Sequence, residues 1–120
     1  MHELGIARNI LDIAQQSVSK EQFPFVRGIK IRVGPFAGVV PDSLSFCFSA
    51  IVRDTAMSQA ELLIEQAPLT AVCRECRRKS EIGNFIFRCP DCGGGNLELI
   101  SGSELEVAEI EIAEQEGENP

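Results

Sequence analysis

The chain has 120 residues, 44% of them hydrophobic, so it can bury one modest core and carry a small additional module. Its 18 acidic residues outnumber its 11 Lys and Arg and give a net charge of −7. This charge argues against a nucleic-acid partner, because phosphate contacts made by basic side chains dominate that affinity. The opening residues show no secretory signal and no apolar run approaches transmembrane length, so we expect a cytoplasmic protein with no membrane partner.

The first third of the chain predicts a helix followed by a strand. Apolar residues recur at steps of three and four up to about Lys20, which is the periodicity of an amphipathic helix. The residue before Pro24 is restricted to an extended conformation, so we expect the helix to end near Lys20. Residues 26–33 then alternate between apolar and basic side chains, which predicts a half-buried strand.

A second helix and two further strands of the same sheet are predicted downstream. Pro41 and Asp42 suit a first helical turn, and the apolar residues after them predict a helix that ends near Asp54. Further strands are predicted at residues 60–67 and 104–113. The expected fold class is therefore α+β, with two helices on a small, mostly antiparallel three-stranded sheet.

Two C-x-x-C motifs separated by twelve residues point to a metal site. They are formed by Cys73 and Cys76 and by Cys89 and Cys92, and this paired spacing is typical of a zinc ribbon with four thiolate ligands. A structural zinc supplies about 10–16 kcal/mol of apparent binding free energy, enough to fold a module with little core of its own. Two disulfide bonds are the alternative, and a reducing cytoplasm disfavours them.

These motifs divide the chain into parts. We expect a zinc-ribbon-like module at residues 69–103, inserted into an α+β domain of residues 1–68 plus 104–113. The acidic residues 114–120 are expected to form a flexible tail. Within the module, residues 81–88 predict a short hairpin that covers the metal.

Other polar and reactive residues have simple interpretations. Cys47 falls on the apolar face of the second predicted helix, so we expect a buried small hydrophobe rather than a nucleophile. The basic residues of the module are expected to form a solvated face, or else a surface for a partner. They are Arg74, Arg77, Arg78 and Lys79.

The first three residues offer a different set of donor atoms. The amine of Met1 and the amide and imidazole nitrogens of His2 can close two fused chelate rings, and three nitrogen donors in a plane suit Ni(II) or Cu(II). Glu3 offers a fourth donor through its amide or its carboxylate. Amides at the start of a helix have no acceptor within that helix, although the positive helix terminus opposes a cation. The residues alone leave open the alternative that His2 is a solvated terminal side chain.

Several motifs together resemble the HypA/HybF family of hydrogenase maturation factors. They occur in the family's order and cover the chain to about residue 113. They are the opening Met1-His2-Glu3, the turn Gly34-Pro35-Phe36-Ala37-Gly38 with the following Val39-Val40-Pro41, the motif Cys89-Pro90-x-Cys92-Gly93, and the closing Ser101-Gly102-Ser103-Glu104-Leu105. The sequence departs from commoner members at Ala37, where Ser is more usual, and at Asp42, where Glu is frequent.

The resemblance implies a nickel metallochaperone rather than an enzyme. It implies nickel as transferred cargo at the residue matching His2, with Glu3 often implicated, for maturation of [NiFe]-hydrogenase and in some bacteria of urease. It implies one structural zinc per chain on Cys73, Cys76, Cys89 and Cys92. The implied partners are a HypB-like GTPase and the hydrogenase large-subunit precursor. In agreement, the sequence contains no G-x-x-x-x-G-K-[ST] phosphate loop, so a partner must supply any nucleotide-driven step.

Three other functions are compatible with parts of the sequence. An interaction adaptor would bind partners through the zinc ribbon and carry no nickel, with His2 inert. A rubredoxin-like carrier would hold iron, although its motifs would be unusually close and the chain has neither Trp nor Tyr. A hydrolase would need an open position on the metal, which four thiolates do not leave. Whether the chain is a monomer or a homodimer is open.

Overall fold

The computed structural model describes residues 2–114. The predicted Met1 donor and residues 115–120 of the predicted tail therefore lie outside the described residues. The elements, in chain order, are α1 (His2–Ser17), a 3-10 helix (Lys20–Phe25), β1 (Val26–Val33), α2 (Pro41–Val52), β2 (Glu61–Gln66), β3 (Thr70–Cys73), β4 (Lys79–Glu81), β5 (Leu97–Ser101) and β6 (Leu105–Ile112). None of the helices in this part of the chain has the length and hydrophobicity that crossing a membrane requires.

The strands form two three-stranded sheets, in the orders β2-β1-β6 and β4-β3-β5. The chain divides into two compact units. The first unit holds residues 39–65 together with the described residues before 32 and after 105, and the second unit holds Arg32–Gly38 and Gln66–Leu105. The α+β class predicted from the sequence is confirmed, with two α-helices, small sheets and a zinc-ribbon-like cysteine module.

In the first unit, α1 packs against α2. Each helix buries one stripe of residues spaced by three or four positions, as the periodicity predicted. The buried residues of the two helices are Ala7, Ile10, Leu11 and Ala14 of α1 and Leu44, Phe48 and Val52 of α2. In β1, Ile29 and Ile31 are fully buried. Full burial of a Leu, Ile or Phe side chain contributes roughly 1.5–3 kcal/mol, so these residues account for much of the unit's stability.

The chain between α1 and β1 differs from the expectation. α1 ends at Ser17, three residues earlier than predicted, and a 3-10 helix that includes Pro24 follows it. The start of that helix is fixed by Gln22, whose side-chain oxygen accepts the N–H of Ser19 at 3.1 Å. The N–H of Gln22 in turn donates to the carbonyl of Ser19 at 2.9 Å. These two hydrogen bonds between Ser19 and Gln22 fold the backbone into a new turn, so α1 ends before Lys20.

The central strand β1 has neighbours that run in different directions. Phe25 accepts the N–H of Ala113 at 2.7 Å, and Lys30 Nζ lies 3.2 Å from Glu109 Oε1. Residue numbers increase along β1 while the numbers of the paired residues decrease along β6, so these two strands are antiparallel.

The second neighbour, β2, is parallel to β1. A Cβ atom at Gly28 would lie 3.0 Å from Leu63, and Val33 accepts the N–H of Ala67 at 2.8 Å. The residue numbers of the paired positions increase together along β1 and β2, as in a parallel pair. α2 supplies the crossover that a parallel pair requires, so β1, α2 and β2 form a βαβ unit.

In the second unit, β3 pairs antiparallel with both β4 and β5. The buried core of this sheet is small and consists of Leu69, Ala71 and Ile82, with Leu97 packed against it. The hairpin predicted for residues 81–88 is wrong. Asn84 and Phe85 have φ angles of 54° and 55°, and left-handed residues cannot continue a strand. The hairpin is instead formed by β3 and β4, and the first C-x-x-C motif lies in its turn.

Residues 32–38 belong to the second unit because their backbone is bonded to the segment between β5 and β6. The N–H of Gly34 donates to the carbonyl of Glu104 at 2.9 Å, and the N–H of Phe36 donates to the carbonyl of Gly102 at 2.7 Å. A Cβ atom at Gly34 would lie 2.2 Å from the oxygen of Gly102. Only glycine allows this approach of two backbones.

We predict opposite effects of alanine at two glycines. Gly34→Ala should lower the free energy of unfolding by about 1–3 kcal/mol, because the added methyl group overlaps backbone atoms that cannot move aside cheaply. Gly5→Ala should raise it by about 0.5–1 kcal/mol, because Gly5 lies in α1 with open space around its Cα and alanine favours helix. Thermal unfolding followed by circular dichroism measures both. Equal melting temperatures for the two variants would contradict the described backbone approach.

Candidate functional site

The four cysteines of the two C-x-x-C motifs come together in the second unit. Cys73 ends β3 and Cys76 lies in the turn between β3 and β4, whereas Cys89 and Cys92 lie in the loop before β5. Their four Sγ atoms all lie within 4.8 Å of one another. Among residues 2–114, this is the group of three or more metal-binding side chains that the fold brings together.

The sulfur separations fit a tetrahedral metal site better than disulfide bonds. Cys73 Sγ lies 3.6 Å from Cys92 Sγ, and Cys76 Sγ lies 3.5 Å from Cys89 Sγ. Sulfurs placed about 2.3 Å from a zinc ion at tetrahedral corners would be roughly 3.8 Å apart, whereas a disulfide requires about 2.05 Å. Each of these two pairs joins one motif to the other, so a single ion at the centre would crosslink the two loops.

Both motifs have the same backbone turn. The N–H of Arg77 donates to the carbonyl of Cys73 at 2.7 Å, and the N–H of Gly93 donates to the carbonyl of Cys89 at 2.8 Å. Arg77 and Gly93, each following the second cysteine of its motif, have φ angles of 66° and 77°. Only Gly93 indicated this turn at the level of sequence, because Arg77 carries a side chain that normally avoids the left-handed region.

Two of the four thiols, those of Cys73 and Cys92, have pKa values shifted in opposite directions. A hydrogen bond from the N–H of Cys76 is the main reason that the pKa of Cys73 falls to about 7. The N–H of Gly94 favours the thiolate of Cys92, but the neighbouring Cys73, burial and the other thiols outweigh it and raise the pKa of Cys92 to about 12. A thiol that donates its proton to a neighbouring thiolate keeps that proton, so ionisation of Cys73 disfavours ionisation of Cys92, and two thiolates this close would also repel. A divalent cation removes that repulsion, and thiolates suit zinc among the common metals.

The predicted nickel donors lie at the other end of the chain, at the start of α1. The side chain of His2 is 62% exposed, and its Nδ1 lies 3.8 Å from Oε2 of Glu3. The same Glu3 oxygen accepts the N–H of Val40 at 3.2 Å. That N–H lowers the pKa of Glu3, so the carboxylate is held in its charged form. Glu3 thus joins the first turn of α1 to the residue that precedes α2, which local sequence patterns could not reveal.

The remaining predicted residues do not form a site. Cys47 is half-buried rather than buried, because it flanks the stripe that α2 buries. Two of the basic residues are in long surface ion pairs: Arg74 Nε lies 3.9 Å from Glu98, and Arg78 lies 3.9 Å from Asp91. Exposed pairs of this kind contribute little to stability.

Comparison with known proteins places the chain among relatives along its whole length. The family model described as "Hydrogenase/urease nickel incorporation, metallochaperone, hypA" matches residues 1–112. The chain is 44% identical over 117 residues to hydrogenase maturation factor HypA of Desulfatibacillum aliphaticivorans, covering 97% of this chain and 90% of that one. It is 41% identical over 115 residues to HypA of Desulfosudis oleivorans, covering 95% of this chain and 100% of that one.

Solved structures show the same fold. The solution structure of the Ni metallochaperone HypA from Helicobacter pylori has a TM-score of 0.63 at 14% identity, covering 92% of this chain and 97% of that one. A second solution structure of a HypA protein has a TM-score of 0.67 at 16% identity, covering 93% and 96%. At these low identities the likeness concerns the fold alone.

We predict that serine at one cysteine of the cluster removes the metal. Cys73→Ser should lower zinc affinity by at least about tenfold, because three thiolates no longer close the shell, and the second unit should then unfold at a lower temperature. The matched control is Cys47→Ser, which changes a cysteine outside the cluster and should keep the zinc. Competition with a zinc-sensitive dye measures the affinity of both variants. Wild-type zinc affinity in the Cys73 variant would exclude this site.

We also predict opposite effects on zinc binding when glycine is removed from one C-x-x-C turn and introduced into the other. Gly93→Ala should weaken zinc binding by about 1 kcal/mol, because alanine in the left-handed region is strained and nothing else near Gly93 is displaced. Arg77→Gly should leave binding unchanged or strengthen it by up to about 1 kcal/mol, because it relieves the same strain. Competition with a zinc-sensitive dye measures both. A loss of affinity in Arg77→Gly equal to that in Gly93→Ala would contradict the shared geometry.

Proposed function

The chain belongs to the HypA family, and from this premise we propose that it is a nickel metallochaperone that binds nickel at its N-terminus and delivers it during maturation of [NiFe]-hydrogenase, and of urease where its host makes one. The observation that carries the proposal is the exposed imidazole of His2 at the start of α1, beside a carboxylate whose charge and position are fixed. An exposed donor can take up a metal ion and release it again, as a carrier requires.

The proposed nickel donors are Met1, His2 and Glu3. The amine of Met1, which lies outside the described residues, and the amide and imidazole of His2 would supply three nitrogens in a plane, as Ni(II) prefers. The amides of the first helical turn have no acceptor within α1, so a metal does not have to displace a helix hydrogen bond. The positive end of the helix disfavours a cation there, and the ionised Glu3 opposes that effect.

Two atoms of Glu3 can serve as the fourth donor. Its carboxylate already accepts the N–H of Val40, and coordination by the same oxygen would weaken that hydrogen bond. The amide N–H of Glu3 also interacts with the carboxylate of the same residue, so coordination by the amide nitrogen would lose that contact but keep the hydrogen bond to Val40. We therefore favour the Glu3 amide as the donor, with the carboxylate supplying negative charge and holding the start of α1 against Val40.

In this proposal, Cys73, Cys76, Cys89 and Cys92 hold one structural zinc per chain. A zinc ion with four thiolate ligands has no open position, so it stabilises the module and takes no part in carrying cargo. The core of the second unit is too small to fold it alone, which is why the ion is needed. Residues 1–68 plus 104–113 would then be the nickel-binding domain and residues 69–103 the zinc module.

The proposed partners follow from what the chain lacks and what its relatives are named for. A HypB-like GTPase would supply the nucleotide-driven step, because this sequence has no phosphate loop. The relatives are hydrogenase maturation factors, so the acceptor would be the precursor of the hydrogenase large subunit. The chain itself would act as a carrier and not as an enzyme.

We predict that the untagged, zinc-loaded protein binds one nickel ion per chain. His2→Ala, or one extra residue before Met1, should weaken binding by at least about tenfold, because each removes a nitrogen donor or its chelate ring. The matched control is the same extra residue placed after Pro120. Nickel affinity should also fall as the pH is lowered, because protons compete with the metal for its ligands. Isothermal titration calorimetry measures each case.

The same nickel titrations also distinguish a nickel carrier from a zinc-ribbon adaptor. Nickel affinity that survives both the His2 variant and the N-terminal extension would contradict the proposed site. A protein that keeps its zinc and binds no nickel at all would instead support the zinc-ribbon adaptor. The variant Glu3→Gln refines the result, since it removes the charge but leaves the amide. Its affinity should fall less than that of His2→Ala if the amide is the donor.

A further inference from the structure

Three phenylalanines of the second unit form a cluster that the proposed function does not use. The ring centroids of Phe36 and Phe85 are 5.7 Å apart, those of Phe36 and Phe87 6.5 Å, and those of Phe85 and Phe87 6.3 Å. The side chains remain 44%, 54% and 44% exposed, and Ile86 between them is 59% exposed. We call these four residues, Phe36, Phe85, Ile86 and Phe87, the phenylalanine surface. Rings that contact one another in a core are normally buried, whereas here half of each faces water.

The backbone presents these side chains in a fixed arrangement. Asn84 and Phe85 are both left-handed, a conformation that costs energy for residues with side chains and persists only where the surrounding structure holds it. The turn is closed by the N–H of Ile86, which donates to the carbonyl of Gly83 at 3.1 Å. Phe36 is fixed through its N–H, which donates to Gly102. The phenylalanine surface is therefore preorganised, and strained conformations of this kind cluster at functional sites.

Two shallow clefts extend the phenylalanine surface. One, of about 360 Å³, is lined by Phe36, Leu99 and Ile100 together with residues 101–104. The other, of about 240 Å³, is lined by Ile86 and by two charged residues, Glu81 and Arg88, among others. The clefts give room for large apolar side chains of a bound segment. Each cleft also has one carboxylate: Glu104 in the first accepts the N–H of Gly102, and Glu81 in the second leaves Arg88 without an ion pair among the described residues.

The size of the phenylalanine surface indicates a transient contact. Three rings about half exposed present roughly 300 Å² of apolar area, since an aromatic side chain buries 150–250 Å² when it is covered fully. A stable interface needs about 800 Å² from each partner. The phenylalanine surface can thus form the centre of a short-lived complex, and it is too small to hold a second copy of the chain by itself.

Arg88, rather than the net charge of the second unit, indicates the sign of the partner. It contains six basic and five acidic residues, a formal +1 in a chain of −7, so the first unit has −8. Even with the two negative charges that four thiolates around one Zn²⁺ retain, the second unit stays near neutral. Two of its acidic residues, Glu98 and Asp91, lie in ion pairs. Arg88 makes no ion pair within residues 2–114 and adjoins Phe87, so a carboxylate is the group that complements it.

We propose that the phenylalanine surface docks an acidic, apolar segment of the protein that receives the nickel. Large apolar side chains of that segment pack on Phe36, Phe85 and Phe87, and a carboxylate pairs with Arg88. This inference rests on the proposed function and adds the chemistry by which the acceptor is recognised. Separating docking on the second unit from nickel on the first lets the complex form and dissociate without changing the metal's ligands.

The binding affinity of a short peptide for the chain tests this recognition directly. The probe is a fluorescent peptide of about twelve residues with three Leu among Asp and Glu, and its control carries Lys in place of every acid. The zinc-loaded full chain should bind the acidic peptide at least about tenfold more tightly than the basic one. Phe85→Ser with Phe87→Ser should lose about tenfold in affinity, whereas Phe46→Ser, which changes a phenylalanine 74% exposed in the first unit, should lose none. Arg88→Glu should reverse the preference between the two peptides.

Several results would overturn the proposal. Two of them are equal binding of both peptides and unchanged peptide binding by the Phe85/Phe87 variant. A Phe85-dependent increase in mass in sedimentation would indicate a second copy as the partner. Phe85-dependent binding to vesicles rich in phosphatidylglycerol would indicate a membrane. Zinc content and nickel calorimetry of each variant separate this test from that of the nickel site. The Phe85/Phe87 variant should bind nickel like the wild type and yet give several-fold less hydrogenase activity in cells.

Discussion

Four cysteines of the second unit have sulfur atoms within 4.8 Å of one another, and all four can ionise there only if a cation lies among them. The apolar core of this unit has only a few residues, so in the proposed function a metal crosslink between the two cysteine loops supplies the cohesion that a larger core would give. The raised pKa of Cys92 shows the same constraint, because the neighbouring Cys73 is among its causes. A zinc ion held by four thiolates would have no position left for cargo, which is why the proposed nickel site lies at the other end of the chain.

The segment between β1 and α2 imposes a second constraint, because hydrogen bonds hold its backbone at two points. Phe36 is bonded to Gly102 in the second unit, and four residues later Val40 is bonded to Glu3 in the first. The close approach at Gly34 fixes the first of these points, and the charge on Glu3 strengthens the second. A change at either point therefore acts on a short stretch of backbone.

The sequence predicted the features that local patterns encode. Periodicity gave α1, α2 and β1, because each buries one face, and the spacing of the cysteines gave the metal cluster. The 3-10 helix around Pro24 was missed, since it depends on a reciprocal bond between Ser19 and Gln22. Left-handed Arg77 and Phe85 were also missed, because such conformations in residues with side chains are imposed by the surrounding structure. The phenylalanine surface joins residues about fifty positions apart, and no local pattern brings them together.

The central claim is that the structural and the transferred metal use different donors, sulfur for zinc and nitrogen with oxygen for nickel. The most direct measurement is nickel K-edge X-ray absorption on the untagged, zinc-loaded protein carrying one equivalent of nickel. The expected spectrum has a shell of nitrogen and oxygen with the scattering of one imidazole, and the imidazole signal disappears in His2→Ala. Sulfur in the nickel shell would contradict the claim, because it would place the cargo on the cysteines that hold the second unit together.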